Sequence, residues 1–250
     1  MITYLLIFSP HKMNSRIKDY NNYYGDAKLA KWRELSARDK AANIIELWSV
    51  VSEDSTPKVV DIGCGDGAVI HELSRRAFGR SYVGFEVSES GVAYAQQRKY
   101  MKHVRYELFD GAQIPGREKN FDLAILSHVL EHAEMPRQLL REAARVATYV
   151  FVEVPLELNA RTPQHYKQTP VGHINLYNSL LLRQLVESSG LRVRAEQITC
   201  PSLPSFTYNR PFWKGWLHWV VKTTLLRLSK RIASKLFTYH GCLLAESQPK

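Results

Sequence analysis

The stretch VVDIGCGDG, residues 59–67, decides how the rest of the chain is read. Apolar residues ending in Asp61 predict a buried strand, and Gly63, Gly65 and Gly67 at every second position predict a tight turn after it. A strand followed by a glycine turn holds a ligand close to its backbone. The chain has no GxxxxGK[ST] loop, so a nucleoside triphosphate site is unsupported. Gly63, Gly65 and Ala68 do satisfy the GxGxxA form of the dinucleotide fingerprint, which leaves the glycine run ambiguous by itself. Asp61 weighs against a dinucleotide. An acid at the strand end repels a pyrophosphate and suits a ligand carrying a positive group.

Outward from this turn, strands and helices alternate. Strands are predicted at KVVDIG, SYVGFEV, VRYELFD, FDLAILS, TYVFVEVP, LRVRAEQIT and FTYHGCLLAE. Helices are predicted at AVIHELSRRAF, SGVAYAQQRKYM, PRQLLREAARVA and SLLLRQLVESSG, the last stopping at Gly190. Residues 28–51 show helical spacing through Leu29, Trp32, Leu35, Ala41, Ile44, Ile45 and Trp48. Repeated βαβ units imply an α/β, Rossmann-like, doubly wound and mostly parallel sheet of seven strands, with helices on both faces. Ligands of such sheets bind at the carboxyl ends of the strands, which here carry Asp61, Glu86, Asp110 and Ser127.

The 250 residues suit one structural domain. Its expected parts are an N-terminal arm and helical cap (1–54), a ligand-binding core (55–200), a basic helical insertion (201–236), and a last strand with its tail (237–250). Three cysteines without a CxxC pair argue against a disulfide framework or a structural zinc site, and a reducing, cytoplasmic setting is expected. The opening MITYLLIFSPHK lacks a charged start and a cleavage signal and is too short to span a bilayer. Met13 offers a second starting point. Net charge is +10 and uneven: no acid lies between Glu196 and Glu246, a stretch that holds seven of the ten net positive charges.

Taken together, VVDIGCGDG, YVGFEVSES, ELFDGAQIP and FDLAILSHVLEHAEMPRQLLREAARV resemble the class I S-adenosylmethionine-dependent methyltransferases. Four motifs in order at suitable spacing carry the resemblance, over roughly residues 55–195. GHINLYNSLLLRQLVESSGLRV (172–193) is similar to the region after the fifth strand in the small-molecule branch of that family. The resemblance implies S-adenosyl-L-methionine as cofactor. It places Asp61 toward the ammonium group, Glu86 on the ribose diol, and Asp110 on the adenine amine with the Gly111 and Ala112 backbone beside the ring. It places Ser127 near the methionine moiety. Gly63, Cys64, Gly65, Gly67, Val87, His128 and Tyr24 complete the expected cofactor set. An alternative reading of each acid is that it merely caps a turn.

Methyl transfer from such a cofactor asks the protein to position, desolvate and, where needed, deprotonate the acceptor. Histidine is the natural base near neutral pH. His128, His132, His165 and His173 are candidates, and His173 in GHINLYN and His132 are chosen as catalytic. A role in ordering a loop stands beside this for each. His128, Glu131 and His132 also spell HxxEH, a metalloprotease pattern, but they follow a buried-looking strand in the place of the resembling family's LEH motif, so no metal is expected. Tyr23 or Tyr24, in YNNYYG, would place a ring near the sulfonium.

Within the insertion, Leu217, Val221, Leu225, Leu228, Ile232 and Leu236 form one helical stripe, with Trp213, Trp216 and Trp219 at its start and lysines and arginines largely off it. Three readings stand open: the stripe packs on the domain, it makes peripheral contact with an anionic membrane or a lipid-tailed acceptor through residues 211–236, or it meets nucleic acid. No RNA or DNA module accompanies it, so nucleic acid is the least expected. The overall expectation is methyl transfer to a small-molecule or lipid-linked acceptor, with oxygen the methylated atom. The rivals are an NAD(P)-dependent oxidoreductase and a catalytically silent scaffold that binds a membrane or a partner. Oligomeric state is not legible.

Overall fold

A computed structural model describes residues 24–52, 56–98, 103–162 and 172–248. The first twelve residues, Met13, Tyr23 and His165 lie outside the described residues. All seven predicted strands are present: β1 (Lys58–Ile62), β2 (Ser81–Glu86), β3 (Val104–Leu108), β4 (Phe121–Ser127), β5 (Ala147–Pro155), β6 (Leu191–Thr199) and β7 (His240–Ser247). They form one sheet in the order β3-β2-β1-β4-β5-β7-β6.

The sheet is mixed. The pairs among β1 to β5 are parallel, but β7 slots antiparallel between β5 and β6. That placement follows from chain order. After β6 the chain passes through the helical insertion and returns by pairing Pro155 and Thr199 with His240, so β7 starts where its two neighbours end. His240 therefore arrives at the carboxyl ends of the parallel strands, where ligands bind in this architecture.

Strand side chains alternate between two cores. Val60, Ile62, Ala124, Leu126, Val150 and Val152 point to one face, where α4 (Pro136–Val146) and α5 (Ser179–Glu187) cover them. Val59, Leu123, Ile125 and Phe151 point to the other, under α1 (Ala27–Trp48), α2 (Ala68–Arg75) and α3 (Glu89–Gln96). α1 starts at Asp26, whose side chain accepts from the Lys28 and Leu29 amides, and it buries Ala37, Ala41, Ile44, Leu47 and Trp48. α5 ends at Glu187, three residues before the expected Gly190, whose positive φ turns the chain into β6.

The insertion departs from the expectation of one helical stripe. It consists of α6 (Leu203–Thr207), α7 (Phe212–Leu228) and α8 (Lys230–Leu236). Ser229 is extended, which breaks the helix, and its hydroxyl then caps α8 by accepting from the Ile232 amide. The stripe also faces the other way. Leu217, Val221, Leu228, Ile232 and Leu236 are exposed and only Leu225 is half-buried, while Gly215, Lys222 and Ala233 face inward. Packing of the stripe on the domain is thus contradicted. Among the described residues no helix is long and apolar enough to cross a membrane.

Candidate active site

A cavity of about 600 Å³ opens at the carboxyl ends of β1, β2 and β4. The glycine turn forms one wall. Gly63 and Cys64 donate backbone N–H groups to the Phe85 carbonyl, at 2.7 and 3.0 Å, which ties the turn to β2. Gly65 has a φ of +56°, and a Cβ there would lie 2.8 Å from the Tyr24 hydroxyl. Only glycine lets the turn adopt this conformation beneath the ring.

Asp61 lies at the end of β1, only 3% exposed, and its Oδ2 has no hydrogen-bond partner. Burial, opposed by the charge of Lys40 and aided by that of Glu86, pushes its carboxyl up to about 7. A buried acid that lines a cavity and has one oxygen unbonded is suited to a cationic group. Glu86, at the end of β2, is also buried. Its Oε2 accepts from the Gly65 amide at 2.8 Å, and its Oε1 accepts from Val87 and Ser88, both at 3.0 Å. Each carboxylate oxygen can accept about two hydrogen bonds, so Oε2 keeps room for a ribose hydroxyl. Glu86 thus also fastens the glycine turn.

Asp110 is exposed and caps its own turn, its Oδ1 accepting from Ala112 and Gln113 at 2.8 and 3.0 Å, which holds its acid below the usual range. With Val87, Gly111 and Ala112 it lines the cavity. Tyr24 lines it too, its ring lying beside the Arg33 guanidinium at 5.3 Å. Cys64 contributes to the wall, while its thiol belongs to the core beneath. Gly67 is a correction. It is not among the residues that line the cavity, although its neighbours Asp66 and Ala68 are, and its left-handed φ of 73° opens α2. Next to it, Asp66 was missed by sequence reasoning. It pairs with Arg33 and Arg98, each at 2.9 Å, and so clamps α1 and the chain after α3 to the glycine turn.

Another part of the lining carries histidines and glutamates. Ser127 donates to Glu153 at 2.8 Å; Asn43 and His240 reach the same carboxylate at 3.1 and 3.0 Å. Burial alone would raise the acid of Glu153, but the bond and charge of His240, aided by His128 and Lys40, hold it well below the usual range. His128 is neutral, since burial pushes its pKa well down. Its ring meets that of His240 edge-on, with centroids 4.8 Å apart. Its Nδ1 lies 3.0 Å from Glu131, and yet neither oxygen of Glu131 has an aligned hydrogen bond, although Glu131 is fully buried.

His132 and His173 do come together, their ring centroids 4.8 Å apart. Nδ1 of His132 lies 3.3 Å from the Gly172 carbonyl, and burial lowers its pKa. His173 Nδ1 bonds the Glu157 carboxylate, which raises the pKa of His173. Among the described residues, two groups of three have donor atoms close enough to hold a metal ion: His128, Glu153 and His240, and Glu131, His132 and His173. In the first, Glu153 is already well hydrogen-bonded; in the second, Glu131 is not. Sequence reasoning missed Glu153, Glu157, His240 and Lys40. The one local signal was the HxxEH spelling.

A family model described as a methyltransferase domain matches residues 29–196. The chain belongs to this family, the class I S-adenosylmethionine-dependent methyltransferases. A mitochondrial ubiquinone biosynthesis O-methyltransferase from Candida albicans is 30% identical over 100 residues, which cover 38% of this chain and 30% of that protein. The crystal structure of magnesium protoporphyrin IX methyltransferase from Synechocystis, with bound S-adenosylhomocysteine, matches 93% of each chain with a TM-score of 0.59 at 18% identity. A [4+2]-cyclase matches 83% of this chain and 81% of its own, with a TM-score of 0.59 at 19% identity. At such identities the structures share the fold alone, and the cyclase shows that this fold also carries other chemistry.

Proposed function

We propose that the protein methylates an oxygen of a small or lipid-tailed acceptor, using S-adenosylmethionine. The observation that carries the reading is one cavity lined by two unlike groups of residues. Asp61, with one oxygen unbonded, lines it beside the glycine turn, and His173, bonded to Glu157, lines it as well. When bound, S-adenosylmethionine supplies a methyl on a positively charged sulfur, which passes to the acceptor and leaves a neutral thioether.

Asp61 would hold the cofactor's ammonium group and Glu86 one ribose hydroxyl, with Asp110 at the adenine end. This order agrees with their order along the strand ends. His173 is the base. Its Nδ1–H donates to Glu157, which leaves Nε2 to take the proton of an acceptor hydroxyl, and the carboxylate steadies the imidazolium that results. Oxygen as the methylated atom draws support from the base and from the relative named for O-methylation. The test is incubation with S-adenosylmethionine and soluble or prenyl-tailed phenols, followed by mass spectrometry. A product heavier by one methylene, with S-adenosylhomocysteine released, is expected. Cofactor binding without any methylated product would leave the scaffold reading in its place.

A second reading has its own observation, the buried Glu131 carboxylate without a hydrogen bond. Glu131, His132 and His173 together would suit a divalent cation, which would bind the acceptor oxygen and ease its deprotonation. Metal analysis of the purified protein and turnover after dialysis against a chelator separate the two. Metal-free protein with full activity supports the histidine base.

A further inference from the structure

We propose that the outer face of α7 and α8 docks the protein on an anionic phospholipid bilayer. The inner face of these helices is pinned. Lys222 Nζ donates to the Thr238 carbonyl at 2.6 Å, and the Tyr239 hydroxyl donates back to the Lys222 carbonyl at 2.8 Å. Trp219 donates to the Pro201 carbonyl at 3.0 Å, and Gly215 lies so close to Thr207 that a Cβ would sit 2.8 Å from its methyl. The rotation of α7 is therefore set, and what it turns outward is apolar. Phe212 and Trp213 are 65% and 64% exposed and Leu228 78%, with Trp216, Leu217 and Ile232 exposed beside them. Six large apolar side chains on one short pair of helices exceed the scattered exposure of an ordinary surface.

Charge names the occupant. Lys214, Arg227, Lys230, Arg231 and Lys235 are exposed around this face, and no acid occurs between Glu196 and Glu246 to balance them. A second copy of the chain would bring the same positive field against itself. An anionic lipid surface offers both complements: headgroups for the cations and an acyl boundary for tryptophan, phenylalanine and leucine. α7 has 17 residues with Lys214 and Lys222 within it, so it lies along a surface.

The placement gives docking a use. The insertion leaves the sheet at Thr199 and returns at His240, whose ring lines the cavity. The Ala160 amide donates to the Lys235 carbonyl at 2.9 Å, which joins α8 to the loop after β5. The docking helices are therefore joined directly to the strand end that brings His240 into the cavity lining. The docking itself stands whether or not the acceptor has a tail.

The experiment is sedimentation of the full chain with vesicles of phosphatidylcholine alone and of phosphatidylcholine mixed with phosphatidylglycerol. Binding to the mixed vesicles is expected, weakening with added salt. A Trp213→Ser, Leu217→Ser double variant should lose it. A Lys230→Gln, Arg231→Gln double variant should weaken it by roughly 10- to 30-fold, at about 1 kcal/mol for each cation. Both variants should keep their circular dichroism and S-adenosylmethionine affinity. No sedimentation with the mixed vesicles overturns the proposal. So does equal binding of wild type and both variants, or a dimer in light scattering that the Trp213→Ser, Leu217→Ser variant dissolves.

Discussion

The two ends of the cavity are made of different materials. At the cofactor end, the polar groups come from backbone and from acids that end successive strands: Asp61 on β1, Glu86 on β2, Asp110 just after β3. At the histidine end, the polar groups are mostly side chains, and they come from α1, β4, β5, the start of β7 and the loops after β4 and β5. The first kind of site repeats one geometry wherever a strand meets a glycine turn. The second is assembled piece by piece, and its chemistry changes with any one piece. That difference explains how one fold can keep a cofactor and vary what it acts on.

If the ends are functionally separate, variants at each should move different quantities. The largest effect belongs to the histidine end. His173→Ala should lower turnover on the order of 100-fold or more, with cofactor affinity unchanged by calorimetry. An equal loss in affinity would mean that the two ends are one unit. Asp61→Asn should do the reverse, weakening S-adenosylmethionine binding by roughly 10- to 100-fold through loss of a charge-assisted contact. Normal affinity in that variant would remove Asp61 from the cofactor.

The buried acid also predicts a pH dependence at the cofactor end. Its carboxyl is raised to about 7 by burial, so in the free protein it becomes increasingly protonated as pH falls through that value. The cofactor's ammonium needs the carboxylate. Affinity should therefore fall as pH drops below about 7, with proton release on binding near pH 6. Calorimetry in buffers of different ionisation enthalpy reads that proton. Asp61→Asn should abolish the dependence. The smallest effect is structural: Gly65→Ala should lower the melting temperature by roughly 2–8 °C, from the positive φ and the Tyr24 ring above it.

The cofactor end was legible because its residues are neighbours in sequence. VVDIG is a strand and its turn, and Glu86 and Asp110 follow at the ends of the next two strands. The histidine end was half legible. His132 and His173 could be named as types, but Glu153 and His240 meet only because β7 inserts antiparallel beside β5. No local pattern announces that pairing. Lys40 lines the cavity and Asn43 holds Glu153, yet the apolar spacing of their helix says nothing of which polar residues turn inward. Period alone likewise misled at α7. Leucines four apart predict a helix with an apolar face, yet the direction of that face was decided by Gly215, Trp219 and Lys222, which hold the opposite side to the domain.

The central claim is that Asp61, Glu86 and the glycine turn form a site for S-adenosylmethionine. Calorimetric titration of the purified chain with S-adenosylmethionine and S-adenosylhomocysteine, with NADH as control, tests it most directly. The account predicts saturable binding of the first two in the micromolar range and none of NADH. Binding of NADH alone, or of none of the three, would contradict it.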